Sequence, residues 1–186
     1  MKEESIFAED IDEIIITEEE IQERIRELGK AITNTYDEDE EIVMVCILRG
    51  AAIFMADLAR QINLNVIFDF MDVSSYGEST KSSGVVRILK DLEENIEGRH
   101  VLLVEDILDT GNTLKHVIDM LKTREPASIK VVTLLDKPER REVKKIKIDF
   151  NGFEIEDKFV VGYGLDYAEK YRNLPYIGVV KEEVYS

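Results

Sequence analysis

Residues 41–48, Glu-Ile-Val-Met-Val-Cys-Ile-Leu, restrict the fold of this chain more than any other stretch. The seven residues after Glu41 are all apolar, so a strand made from them must be covered on both faces. The run is too short and too rich in β-branched side chains for a buried helix. Cover on both faces requires helices above and below a parallel sheet, and the rest of the chain supplies them. Thr17-Glu18-Glu19-Glu20 matches a capping box. Ile21, Ile25, Leu28 and Ile32 then recur at helical spacing, which predicts a helix over 17–36. Arg49-Gly50 breaks the strand, and 51–61 return to helical composition. Apolar runs at 66–73, 101–104 and 129–135 read as further buried strands, with Leu114, Val117, Ile118 and Leu121 marking a helix between the last two. Strands alternating with helices predict an α/β domain over 1–186 with a central, mainly parallel sheet flanked by helices. In such sheets ligands lie beyond the carboxyl ends of the strands.

Composition narrows the function classes. One cysteine, Cys46, and two histidines, His100 and His116, rule out a zinc cluster or a disulfide framework. Cys46 lies within the apolar run and reads as a buried core thiol. The histidines lack the third partner of a triad or metal site and read as surface groups. The longest apolar stretch, 42–48, is far short of the ~20 residues that a membrane-spanning helix needs. The acidic start Met1-Lys2-Glu3-Glu4 lacks the features of a signal peptide, so a cytoplasmic protein without a membrane partner is expected. Forty acidic against 24 basic residues give a net charge of −16, concentrated in 1–41. Such a surface repels polyanions at long range but leaves room for a small anion within a cleft. Residues 74–84, with five Ser, two Gly and no aliphatic side chain, read as a loop or hairpin tip outside the core.

The chemistry is carried by Val101-Leu-Leu-Val-Glu-Asp-Ile-Leu-Asp-Thr-Gly-Asn-Thr113. Asp109, Thr110, Gly111, Asn112 and Thr113 precede an amphipathic helix. Small residues there can curl so that N–H groups and hydroxyls converge on one phosphate, where the helix dipole also favours an anion. Gly111 lets the backbone approach closely. Glu105 and Asp106 repel phosphate, but they can accept from ribose hydroxyls or hold a divalent cation through water. As bare residues they would equally well cap the strand end. Followed by the phosphate turn, they imply a ribose 5-phosphate. No Gly-x-x-x-x-Gly-Lys-[Ser/Thr] motif is present, which sets aside a P-loop nucleotide hydrolase.

This stretch resembles the 5-phosphoribosyl-1-pyrophosphate (PRPP) signature of type I phosphoribosyltransferases. Leu48-Arg49-Gly50, Ser74-Ser75-Tyr76-Gly77, Leu135-Asp136-Lys137-Pro138 and the run from Asp157 to Tyr167 look like the hypoxanthine(-guanine) members, and the similarity extends over 14–180. The resemblance implies the type I fold, with a small hood from N-terminal residues and about 137–186, and a flexible flap at 74–84. It implies Mg²⁺-dependent conversion of hypoxanthine or guanine with PRPP into IMP or GMP and pyrophosphate, in purine salvage, by a homodimer or homotetramer.

Residue by residue, Asp109 corresponds to a general base near purine N7, or alternatively to an electrostatic support of the ring. The segment Asp109, Thr110, Gly111, Asn112 and Thr113 corresponds to the 5-phosphate loop, with Asn112 acting through its N–H. Glu105 and Asp106 correspond to the ribose hydroxyl contacts or the Mg²⁺ water shell, and Asp166 to the contact with the second Mg²⁺. Arg49, Gly50 and Arg172 match the pyrophosphate site, where many relatives carry Lys in place of Arg49 and the contact is largely main-chain. Ser75 and Tyr76 match the flap. Lys137 aligns with the reader of the purine 6-oxo group, Phe159 with the stacking aromatic, and Val160 with a backbone contact to the base edge. Two alternatives remain. One is a xanthine-preferring relative. The other is a regulatory RNA-binding protein on the same scaffold, for which 137–147 offer six bases against two acids.

Overall fold

A computed structural model describes residues 6–75 and 86–185. Strand β1 (Ile11–Ile16) leads into helix α1 (Glu18–Thr33), β2 (Glu41–Leu48), α2 (Ala52–Ala59), β3 (Asn65–Ser75) and β4 (Val86–Lys90). Strand β5 (His100–Leu108), α3 (Asn112–Lys122), β6 (Ser128–Asp136) and β7 (Phe150–Glu154) follow, then β8 (Val160–Val161), β9 (Ile177–Val180) and α4 (Glu182–Tyr185). The six-stranded sheet has the order β4-β3-β2-β5-β6-β7 and is parallel except for β4.

Strand β2 sits inside this sheet and is covered as its composition demands. Ile42, Met44 and Cys46 face a core shared with Ile21, Ile25, Leu28 and Ile32 of α1 and Phe54 and Leu58 of α2. Val43, Val45 and Ile47 face the opposite core, closed by Leu114, Val117 and Leu121 of α3. Each fully buried aliphatic side chain of this kind stabilises the fold by about 1.5–3 kcal/mol. The capping box forms as expected: Glu20 N–H donates to Thr17 Oγ1 at 3.3 Å, and Thr17 N–H donates to Glu20 Oε2 at 2.8 Å.

The hood is a separate antiparallel sheet, β1-β9-β8. Ile16, Val160 and Ile177 turn inward to the α1 and α2 core. Val161 and Val180 turn outward to a small cluster with Tyr171 and Leu174. Its strands are two to six residues long, and β1 pairs with β9 across nearly the whole chain. No helix among the described residues is long and apolar enough to cross a membrane.

Three expectations change. The first helix stops at Thr33 rather than Tyr36, where Asn34 N–H caps onto Lys30 and Ile32 carbonyls. Strand β5 does not end at Val104. It continues through Glu105 and Asp106 to Leu108 because β6 offers ladder partners as far as Asp136. His100 is not a free surface group: its ring bridges Ser128 Oγ at 2.8 Å and Glu40 Oε1 at 2.9 Å.

Cys46 is fully buried. Burial, reinforced by the charges of Glu105 and Asp106, pushes its thiol up to about 12. The folded protein should therefore leave Cys46 unmodified by a thiol reagent at pH 8, with one thiol titrating after unfolding. Modification of the native protein at the free-thiol rate would contradict this placement. Since the unfolded thiol ionises near 8.5–9 and the folded one does not, this group costs stability as pH rises above ~9.

Candidate active site

The carboxyl ends of β2, β5 and β6 and the loops beyond them carry Arg49, Gly50, residues 105–113 and Lys137, while Ser75 ends β3, Phe159 and Val160 lie at β8, and Asp166 and Arg172 lie between β8 and β9. After Leu108 the chain turns through Asp109 and Thr110 into Gly111, whose φ of +84° suits glycine, and α3 begins at Asn112. No side chain caps this helix. Asn112 N–H makes a long 3.4 Å contact with Thr110 Oγ1, and the next first-turn N–H groups face an anion site beside the dipole's positive end. A cavity of about 220 Å³ opens here, lined by Leu48, Val73, Glu105, Asp109, Thr110 and Gly111 with neighbours including Thr113. A larger hollow of about 310 Å³ at Ile15, Phe153 and Lys158 contains no residue of the phosphate turn or of the Glu105–Asp106 pair, so volume alone does not locate the chemistry. The Asn112 side chain turns aside to Glu142 Oε2 at 2.7 Å, leaving its backbone as the contact with the turn.

Glu105 and Asp106 are neighbours on β5. Burial, and then the charge of Asp106, holds the Glu105 carboxyl well above the usual range. Burial likewise pushes Asp106 up to about 6, opposed mainly by hydrogen bonds from backbone N–H groups, including Ile107's at 2.7 Å. Two crowded acids fit ribose hydroxyls or a hydrated divalent cation, either of which relieves the repulsion. Among the described residues no group of three or more His, Cys, Asp or Glu side chains could hold a metal ion. Two carboxylates suffice for Mg²⁺, which draws its other ligands from water and substrate phosphate. Asp166 is engaged elsewhere, with Oδ1 2.9 Å from Arg172 and Oδ2 accepting from Glu169 N–H.

The pyrophosphate residues converge. Arg172 donates to Gly164 O at 2.8 Å and pairs with Glu169 at 3.2 Å. Arg49 reaches the same Glu169 at 3.1 Å. The Leu48–Arg49 peptide is cis. A Cβ on Gly50 would stand 1.5 Å from Asp106 Oδ2, and one on Gly164 2.0 Å from Gly50 O. Gly164 also has φ of +102°. Gly164→Ala should cost about 1–3 kcal/mol from backbone strain alone, read from urea unfolding, and should displace the Arg49-Gly50 loop. An unchanged midpoint would contradict this packing.

Lys137 is no surface lysine: it is only 8% exposed. Its Nζ donates to Lys158 O at 2.7 Å and lies 3.4 Å from Asp157 Oδ1, beside Phe159. Its N–H donates to Leu108 O, next to Asp109. Phe159 keeps 39% of its surface exposed, while Val160 is buried on β8. Ser75 ends β3, whose last residues pair with the start of β4. Tyr76 and the remainder of the expected flap lie outside the described residues.

Two supporting contacts were not anticipated. Arg140 Nε donates to Asp109 Oδ1 at 3.0 Å, and Arg141 folds back onto buried Asp136 at 3.0 and 2.5 Å, holding the loop that carries Lys137. The basic run at 137–147 was the only signal for them, and it names no partner.

The model of the phosphoribosyl transferase domain matches residues 15–168. The chain belongs to the phosphoribosyltransferase family. A hypoxanthine-guanine phosphoribosyltransferase of Bacillus subtilis is 54% identical over 95% of this chain and 97% of its own length. One from Streptococcus pneumoniae is 53% identical over 95% of this chain and 97% of its own. The crystal structure of a hypoxanthine phosphoribosyltransferase from Staphylococcus aureus is 50% identical, covers 100% of both chains and superposes with a TM-score of 0.95. This phosphoribosyltransferase therefore has the type I fold, with the central sheet and hood described above.

Proposed function

We propose that this phosphoribosyltransferase moves the 5-phosphoribosyl group of PRPP to N9 of hypoxanthine or guanine, giving IMP or GMP and pyrophosphate in purine salvage. The observation that carries the reading is the buried Lys137, whose backbone N–H donates to Leu108 O just ahead of the phosphate turn and whose ammonium donates to the carbonyl of Lys158, the residue before Phe159. An ammonium has donors and no acceptor. It suits a 6-oxo purine and rejects the 6-amino group of adenine.

The turn from Asp109 to Thr113 would bind the 5-phosphate through backbone N–H groups and hydroxyls. Glu105 and Asp106 would accept from the ribose hydroxyls. Phe159 would stack on the base, and the Val160 backbone would meet its edge. As N9 bonds to C1′, the bond from C1′ to pyrophosphate breaks and the electron pair leaves with the pyrophosphate. Asp109 would take the proton from N7. The Arg49-Gly50 main chain and the Arg172 guanidinium would stabilise the leaving charge, with arginine's planar fork matching two oxygens. Ser75 and Tyr76 would close over PRPP and exclude water. Glu105 and Asp106 would hold one Mg²⁺ and Asp166 a second, and the bound metal would supply charge neutralisation at the diphosphate.

The RNA-binding alternative loses most of its support. Of six bases in 137–147, Lys137, Arg140, Arg141 and Lys147 are already paired with acids of the same chain. The test is turnover of hypoxanthine with PRPP before and after chelation. Activity abolished by chelator and restored by Mg²⁺ is expected. Folded protein that binds PRPP but turns over no purine would overturn the reading.

A further inference from the structure

The Phe159 ring is engaged on one side already. Tyr185 of α4 stacks on it, with centroids 4.8 Å and planes 29° apart. Tyr167 meets it edge-on at 5.6 Å and 85°. Tyr167 and Tyr185 also meet, at 6.5 Å and 73°, so the three rings brace one another. Val160 faces the core shared with the main sheet, whereas Val161 faces the outer cluster. Tyr167 and Val184, the neighbour of Tyr185, pack on that outer cluster. Tyr185 thus joins Phe159 to residues that pack on the outer cluster of the hood. One face of the Phe159 ring is covered by this stack, and 39% of the residue's surface stays exposed, enough to take a flat ligand.

We propose that Tyr185 is a positioning residue for the purine base, backing Phe159 so that the base enters as the front layer of a three-ring stack. The inference rests on the reading of Phe159 as the base-stacking residue. A solvent-exposed Phe samples several orientations, and a base that stacks on it must bear the cost of ordering it. Offset stacking on Tyr185 and the edge of Tyr167 fix the plane beforehand. The effect belongs to base affinity, since the ring contacts of Tyr185 run to Phe159 and Tyr167.

The test uses the full chain in steady-state kinetics, with hypoxanthine and PRPP varied in turn and thermal unfolding alongside. Tyr185→Ala should raise KM for hypoxanthine about 3- to 10-fold. KM for PRPP and kcat should stay within about twofold. Tyr185→Phe, which keeps the ring, should restore the wild-type KM. If Phe159→Leu raises the hypoxanthine KM and Tyr185→Ala does not, the backing role is wrong while the role of Phe159 stands. A lower KM in Tyr185→Ala would show the ring competing for the place of the base, which also overturns the proposal. If neither variant moves the base KM, the reading of Phe159 falls and this inference with it.

Discussion

Asp109→Asn should lower kcat by about 10²–10⁴-fold while the Kd for PRPP stays within about threefold. The substitution is nearly isosteric, so the turn into Gly111 and the start of α3 are preserved. The amide oxygen can still accept from Arg140 Nε, which donates to Asp109 Oδ1 in the native protein. What disappears is the negative charge and the capacity to take a proton as the base bonds to C1′. That interaction is made in the transition state and not in the PRPP complex, so the loss falls on turnover. Single-turnover kinetics beside equilibrium PRPP binding separate the two. Equal losses in both would assign Asp109 to ground-state binding and remove it as general base.

Lys137→Gln should reduce the preference for hypoxanthine over adenine by about 100-fold or more, measured as the ratio of kcat/KM values. Lys137 is buried, and its donors meet Lys158 O and Asp157. A neutral amide can donate to the same carbonyl and also accept from a 6-amino group. The fold should tolerate the change, because Asp157 keeps Arg140 at 3.7 Å as a second cation. Sites built around buried polar groups reject a ligand that leaves those groups unpaired far more strongly than apolar pockets reject a missing methylene. Unchanged base selectivity in a stable variant would remove Lys137 as the reader of the 6-position.

The legible parts of the molecule were those whose physics is local. Strand β2 was readable to the residue because an apolar run with no polar alternation has one buried solution in an α/β sheet. The phosphate turn was readable because its parts are consecutive in the chain. The hood was not readable from periodicity: β8 has two residues and β9 four, and their ladders join positions that the sequence keeps far apart. The run of β5 past its two acids was hidden for a related reason. Polarity alone suggests a strand end at Glu105, but the length of β6 decides where the ladder stops. Site partners follow the same division. Arg49 and Arg172 could be named from motifs, whereas their common tether Glu169 required the fold to bring the two loops together. Arg140 looked like one base among six until its contact with Asp109 appeared.

The most direct test of the central claim is a steady-state assay of the purified protein with PRPP and Mg²⁺, offering hypoxanthine, guanine, xanthine and adenine separately. Formation of IMP and GMP without AMP is the predicted result, and XMP at a rate above both would shift the assignment to the xanthine-preferring relative. AMP formed as readily as IMP would contradict the account, because a buried ammonium at the 6-position cannot serve both bases alike.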